Sequence, residues 1–296
     1  MRWDRGYESP DVLDQRGAGG GGVGGAGLIW LVFMLLRSPL GWVGAMLAIA
    51  AFFALGGLRY LLSSDERRQA GQTAVEGQGP AQGKDAELVQ FVSFVLDDAQ
   101  NTWRKEFAEN GLRYQNAKLV LFTGRTESGC GYGSAASGPF YCPRDQRVYI
   151  DLSFYRELDR RFGAPGDFAQ AYVIAHEIGH HVQNQLGTSE KVHRSTRANR
   201  EGASGLSVRL ELQADCYAGI WANATEHRKL LEKGDVEEGL RAASAIGDDR
   251  LQRQARGTVE PDSFTHGTSE QRVRWFKRGY QQGNPDACDT FEAGQL

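Results

Sequence analysis

The chain reads FAQAYVIAHEIGHHVQNQL over residues 168–186, and this stretch predicts a helix that is packed into a core. Asp167 is a suitable N-terminal cap with a glutamine three residues on, and Gly187 is suitable for ending the helix. The apolar run YVIA directly before His176 indicates a buried face. Because residues four apart on a helix share one face, the helix presents the imidazoles of His176 and His180 together.

The segment HEIGH (residues 176–180) has the spacing of a metal-binding helix. Two imidazoles on one face can bind one ion, and Glu177 can reach a water on that ion without occupying a ligand position. The alternative is a surface helix with incidental histidines. Buried histidines and a buried glutamate are costly unless they bind a metal or are hydrogen-bonded, so the core-packed sequence favours a metal site.

A catalytic zinc site needs three protein ligands and one open position, and the segment ELQAD offers the third. Glu211 can bind the metal, while Asp215, four residues on and on the same face, can accept a hydrogen bond from the second nitrogen of a ligand histidine. The alternative is a solvated acidic stripe. The run LELQADCYAGIW is apolar on both sides of these acids and favours a packed helix, from about Leu206 to Leu231.

The combination of HEIGH and ELQAD resembles the gluzincin metallopeptidases, including the CaaX-protease-like group. More closely, the chain resembles a bacterial family of neutral zinc metallopeptidases, through the segments MRWDRGYES, CGYGSAASGPFYCP, VYIDLSFY, GDFAQAYVIAHEIGHHVQ, LSVRLELQADCYAG, AIGDDRLQ and PDSFTHGTSEQRVRWFKRGY. The resemblance implies Zn²⁺ bound by His176, His180 and Glu211, with Glu177 as the catalytic general base. It also implies an α+β domain of the zincin type, with a small sheet over the HEIGH helix.

The segment THGTSEQR (residues 265–272) resembles the THPxxxxR segment of the CaaX-protease-like peptidases. The resemblance implies that His266 is catalytic, as a hydrogen-bond donor to the developing oxyanion, and that Arg272 anchors the segment. Gly267 stands where that group often has proline, and the alternative is a plain surface loop. Three further histidines are not expected to bind zinc: His181, His193 and His227.

The 296 residues have a formal net charge of −3, which speaks against a protein that binds the phosphate backbone of nucleic acids. The sequence predicts four regions. They are a disordered, glycine-rich tail over residues 1–27, a membrane anchor over residues 28–61 with an apolar span at about residues 40–58, a linker over residues 62–84, and a zinc metallopeptidase domain over residues 85–296.

Within that domain, the periodicity predicts a helix over about residues 86–110 and strands at Lys118–Phe122 and Arg147–Leu152. The second strand is a candidate edge strand, beside which an extended peptide substrate would lie in a fixed register.

Four cysteines allow three pairings. Cys130 and Cys142 bracket a loop rich in Gly and Ser that a disulfide would constrain, which leaves Cys216 to pair with Cys288. The alternative is that Cys216 is a small buried apolar residue and Cys288 a free thiol. Disulfides suit a domain outside the cytoplasm. With the resemblance, they favour a single-pass protein of the bacterial inner (cytoplasmic) membrane whose catalytic domain is periplasmic or otherwise extracytoplasmic.

These features together predict a membrane-anchored zinc peptidase that hydrolyses peptide bonds in peptides or proteins through a metal-activated water. Two alternatives belong to other classes of protein. One is a catalytically inactive, metal-binding scaffold of a membrane complex, and the other is an adaptor without a metal.

Overall fold

The computed structural model of the chain describes residues 1–16 and 84–296. The described α-helices are α1 (Lys84–Glu109), α2 (Ser153–Arg160), α3 (Asp167–Gln185), α4 (Thr188–His193), α5 (Arg197–Arg200), α6 (Leu206–His227), α7 (Asp235–Ala245), α8 (Asp248–Arg256) and α9 (Ser269–Gln282). The described strands are β1 (Val12–Asp14), β2 (Lys118–Phe122), β3 (Arg125–Ser128), β4 (Gly131–Ser134), β5 (Phe140–Cys142) and β6 (Arg147–Asp151). These elements form an α+β arrangement.

Four strands form the main sheet, in the order β1-β2-β6-β5. Strands β1, β2 and β6 are parallel, and β5 is antiparallel to β6. Strand β2 is buried along its length after Lys118, which explains why its sequence is a continuous apolar run rather than an alternation. Both predicted strands are confirmed, and the second ends at Asp151, one residue earlier than expected.

The prediction that β6 forms an edge of the sheet is wrong. Strand β6 pairs with β2 on one side and with β5 on the other, where Phe140 lies opposite Tyr149. The two rings stack with their centroids 4.9 Å apart. Strand β5 lies inside the loop rich in Gly and Ser, and three residues are too few to show an alternating pattern. Among the described strands, β5 is therefore the edge on this side.

Residues 1–16 are folded against the domain, where the sequence predicts a disordered tail over residues 1–27. Strand β1 pairs in parallel with β2. The α-ammonium of Met1 lies 2.8 Å from both carboxylate oxygens of Asp167 and 3.3 Å from Asp235 Oδ2. Backbone pairing and these ion pairs order a polar segment whose own sequence has no strand or helix periodicity. The prediction of a disordered tail is therefore wrong for residues 1–16.

Among the described residues, no helix is long and apolar enough to cross a membrane. The long helices α1 and α6 contain charged side chains, such as Asp97 and Arg104 in α1 and Arg209 and Asp215 in α6. The described residues support an α+β fold class but not the predicted N-terminal transmembrane helix, so that part of the fold class and the predicted inner-membrane location are corrected. The predicted anchor at residues 28–61, with its span at residues 40–58, and the linker residues 62–83 lie outside the described residues.

Close helix packing brings the HEIGH and ELQAD segments together on α3 and α6. A Cβ atom on Gly179 of α3 would lie 3.0 Å from the backbone oxygen of Ala214 in α6, so the absence of a side chain allows this approach. Between α6 and α9, a Cβ atom on Gly219 would overlap the backbone of α9, and one on Gly279 would overlap the backbone of α6. These contacts place α3, α6 and α9 around one site.

Candidate metal centre

Three side chains converge where α3 packs on α6: His176, His180 and Glu211. His176 Nε2 lies 3.2 Å from Glu211 Oε2, and His180 Nε2 lies 3.4 Å from Glu211 Oε1. One ligand atom from each residue lies within 4.8 Å of the others. Ligands about 2.0–2.2 Å from a tetrahedral zinc ion are roughly 3.4 Å from one another. The three side chains therefore have the spacing that one zinc ion would require.

Each of the two histidines is also hydrogen-bonded through its other ring nitrogen. His176 Nδ1 donates to Asp215 Oδ1 at 2.8 Å, and His180 Nδ1 donates to Gln183 Oε1 at 2.9 Å. In a neutral imidazole, these bonds favour the proton on Nδ1 and leave the Nε2 lone pair directed to the shared position. Two imidazoles and one carboxylate are the donor set of many catalytic zinc sites, so the residues fit this ion.

Asp215 is completely buried, and its carboxylate holds three elements together. Besides His176 on α3, it accepts hydrogen bonds from the hydroxyl group of Tyr172, also on α3, and from Arg272 on α9. Arg272 Nε lies 2.9 Å from Asp215 Oδ2, and Arg272 Nη2 lies 3.0 Å from Asp215 Oδ1. The buried arginine balances the charge of the carboxylate and fixes the orientation of the His176 ring.

The charges of the site favour a bound cation. Burial by itself lowers the pKa of His176, but the Asp215 carboxylate outweighs it and raises this pKa to about 9. The pKa of His180 is also raised, because the charge of Glu211 outweighs burial. Burial opposes ionisation of Glu211, yet the two histidines hold its pKa well below the ordinary value. An ionised carboxylate among groups that attract positive charge is the environment that a divalent metal ion needs.

Glu177 is buried beside this group and is not one of the three converging ligands. Burial raises the pKa of its carboxyl group, against the attraction of the charges on His180 and His176. A raised pKa is the direction required of a carboxylate that takes up a proton and passes it on near neutral pH.

His266 approaches the same site from the loop before α9. The carboxylate of Asp248, at the start of α8, accepts hydrogen bonds from the backbone N–H groups of residues 265–267 at 2.7, 2.7 and 3.1 Å. It also accepts a hydrogen bond from His266 Nδ1 at 3.2 Å. Burial lowers the pKa of His266, but the hydrogen bond to Asp248 outweighs it and raises this pKa. This shift favours the charged form of His266, in which both ring nitrogens can donate.

Two clefts meet at the metal centre. The smaller has a volume of about 270 Å³ and the larger about 650 Å³. His180, Glu211 and His266 line both clefts, whereas Glu177 lines only the larger. Of the other histidines, His181 is buried, with Nδ1 2.9 Å from the hydroxyl oxygen of Tyr141, and it is not among the converging ligands.

The four cysteines form two disulfides, Cys130–Cys142 and Cys216–Cys288. The first joins the turn between β3 and β4 to the end of β5, the edge strand. The second joins α6, one residue after Asp215, to the turn that follows α9. Both bridges therefore act on segments that surround the metal centre.

Three residues of the site were not singled out from the sequence: Tyr172, Gln183 and Asp248. Tyr172 lies four residues before His176, and Gln183 lies three residues after His180, so helical spacing from the two ligands could have found both. Asp248 has no such helical spacing to a ligand, and its only signal is its place in the segment AIGDDRLQ of the family resemblance.

We predict that Asp215→Asn weakens zinc affinity by roughly 10–100-fold, because an amide holds the His176 ring less firmly than a carboxylate. Competition with a chromogenic chelator measures the affinity, and circular dichroism checks that the variant is folded despite the buried charge of Arg272. Asp286→Asn, at an exposed position, is the matched control. An unchanged affinity in folded Asp215→Asn would show that Asp215 does not support the metal.

Comparison with known proteins shows which family this chain belongs to. The model of the family described as "Putative neutral zinc metallopeptidase" matches residues 1–291. "Uncharacterized protein YpfJ" of Escherichia coli (strain K12) is 46% identical over 297 residues, which covers 98% of this chain and 99% of that protein. "Uncharacterized protein Rv2575" of Mycobacterium tuberculosis (strain ATCC 25618 / H37Rv) is 44% identical over 194 residues, which covers 62% of this chain and 65% of that protein. No solved structure matches the chain. The family match extends through the HEIGH, ELQAD and THGTSEQR segments, and the chain therefore belongs to this neutral zinc metallopeptidase family.

Proposed function

We propose that the protein is a zinc-dependent peptidase that hydrolyses peptide bonds. The observation that carries this proposal is the convergence of His176, His180 and Glu211 beside a cleft that is lined by Glu177. Membership of the zinc metallopeptidase family supports it.

A zinc ion held by His176, His180 and Glu211 would supply Lewis-acid activation of a water molecule and of the scissile carbonyl group. Glu177 accepts the proton of the attacking water and then donates it to the nitrogen of the leaving amine. His266 donates a hydrogen bond from Nε2 to the oxyanion that develops on the carbonyl oxygen, while Asp248 holds its Nδ1.

An extended peptide would lie beside β5, and not beside β6 as the sequence suggested. Phe140 and Tyr141 of β5 line the larger cleft, and the adjoining residues 135–139 do so too. Tyr141 is held against α3 because its hydroxyl group contacts His181 Nδ1 at 2.9 Å and accepts a hydrogen bond from Asn184 Nδ2 at 3.0 Å. The edge strand is thus fixed relative to the HEIGH helix, which gives a bound peptide one register at the metal.

Digestion of an unfolded protein tests this function. The zinc-loaded chain is incubated with a reduced and unfolded protein, and mass spectrometry identifies the new peptide termini. We expect cleavage that a zinc chelator abolishes and that added zinc restores. A chain that binds zinc and yet cleaves no unfolded protein or peptide would instead be the inactive, metal-binding scaffold.

We predict that His266→Ala lowers kcat by about 100-fold, the scale expected for loss of one donor to an oxyanion. Zinc content should not change, because His266 is not one of the converging ligands. Steady-state kinetics on a fluorogenic peptide and metal analysis of the same preparation measure both quantities. Full activity in His266→Ala would show that this histidine is a surface-loop residue without a catalytic role.

A further inference from the structure

The two clefts that meet at the metal centre differ in their charged side chains. The larger is lined mostly by apolar side chains, which include Phe154, Phe162 and Val173. The smaller is lined by polar side chains, by Arg200 and by the apolar residues Pro143, Val192 and Leu210, and its one carboxylate is that of the candidate metal ligand Glu211.

Arg200 lies at the end of α5, where it is half-buried. Within the part of the chain that the structure describes, no carboxylate forms an ion pair with its guanidinium group. The other arginines of the two clefts do have acidic partners: Arg161 pairs with Glu157 and Arg272 with Asp215. An arginine that is half-buried in a cleft and forms no ion pair is a site for an acidic ligand. Its guanidinium group can bind a carboxylate through two parallel hydrogen bonds.

The position of Glu177 sets the direction of a peptide across the centre. Glu177 donates its proton to the leaving amine, so the amine half of the scissile bond must lie on the side of the cleft that Glu177 lines. Glu177 lines the larger cleft and not the smaller. The residues on the acyl side of the scissile bond therefore extend into the smaller cleft, toward Arg200.

We propose that the enzyme prefers peptides with an aspartate or glutamate on the acyl side of the scissile bond and an apolar residue on the amine side, with Arg200 recognising the acidic side chain. This inference rests on the proposed peptidase function and adds its substrate class.

Peptide binding tests this preference without requiring turnover. The zinc-loaded Glu177→Gln variant is titrated into fluorescent peptides that differ only in having Glu, Gln or Lys at successive positions before an apolar residue, and anisotropy gives the affinity. At one or two of these positions, we expect the Glu peptide to bind about 5-fold more tightly than the Gln peptide. This ratio should be smaller at high salt. Adding Arg200→Gln should remove the preference, and adding Arg200→Glu should transfer it to the Lys peptide.

The matched control is Arg194→Gln, because Arg194 is exposed and pairs with Glu190 at 2.5 Å outside both clefts. This control should keep the preference for Glu. A reversal of charge preference cannot arise from a merely structural role of Arg200. Equal affinity for the Glu and Gln peptides, or no response to Arg200→Glu, would overturn the inference. If the wild-type chain nevertheless cleaves these peptides, the proposed peptidase function still stands.

Discussion

Replacing Glu177 with glutamine is expected to lower kcat for peptide hydrolysis by about 10²–10⁴-fold, the usual contribution of a general acid–base group. Glutamine has nearly the same shape but cannot take a proton from water or return it to the amine. Zinc affinity should be unchanged, because Glu177 is not one of the converging ligands. Steady-state kinetics on a fluorogenic peptide, with zinc content measured on the same sample, gives both results.

The control for this variant is Glu190→Gln, which changes an exposed carboxylate outside both clefts. It should retain wild-type kinetics. Equal loss of activity in the two variants would show an effect of lost negative charge that is not specific to Glu177, and full activity in Glu177→Gln would contradict its role as the base. Loss of zinc from Glu177→Gln would mean that Glu177 binds the metal, and the assignment of ligand and base would then be reversed.

Replacing Glu211 with alanine is expected to remove zinc and, with it, all hydrolysis. Glu211 supplies the one carboxylate among the three converging ligands, and it comes from a different helix than the two histidines. The loss of zinc affinity should exceed the roughly 10–100-fold loss that follows when a residue that hydrogen-bonds to a ligand, such as Asp215, is replaced. Competition with a chelator measures this affinity in the same series as Asp215→Asn.

Retention of wild-type zinc affinity by Glu211→Ala would contradict the ligand set. The variant should remain folded, since a small side chain replaces a half-buried carboxylate at a position where α6 is held by other contacts. Circular dichroism and the melting temperature check this point.

The two helices of the metal centre could be predicted because each has both a periodic apolar face and polar residues at a fixed spacing. Gly179 lies at the point where the HEIGH helix meets the ELQAD helix, so the motif also contains the residue that allows their contact. The cysteine pairing followed from loop composition and elimination, and the structure has the same two bridges.

Features that depend on partners distant in sequence could not be predicted. Strand β5 is short and exists because β6 pairs with it. Residues 1–16 are ordered by β2 and by the acidic side chains around Met1. Asp248 holds the backbone of residues 265–267, and this contact leaves no pattern in the sequence. The membrane anchor was inferred from hydropathy alone, and no described helix supplies one.

Activity measured as a function of bound zinc shows whether the chain hydrolyses peptides through this metal. The metal-free chain is titrated with zinc, and the cleavage rate of an unfolded protein is measured at each zinc content. We expect no cleavage without zinc and a linear rise that saturates at one zinc ion per chain, with a rise about 10²–10⁴-fold smaller for Glu177→Gln. Cleavage by the metal-free chain, or none at full zinc occupancy, would contradict this expectation.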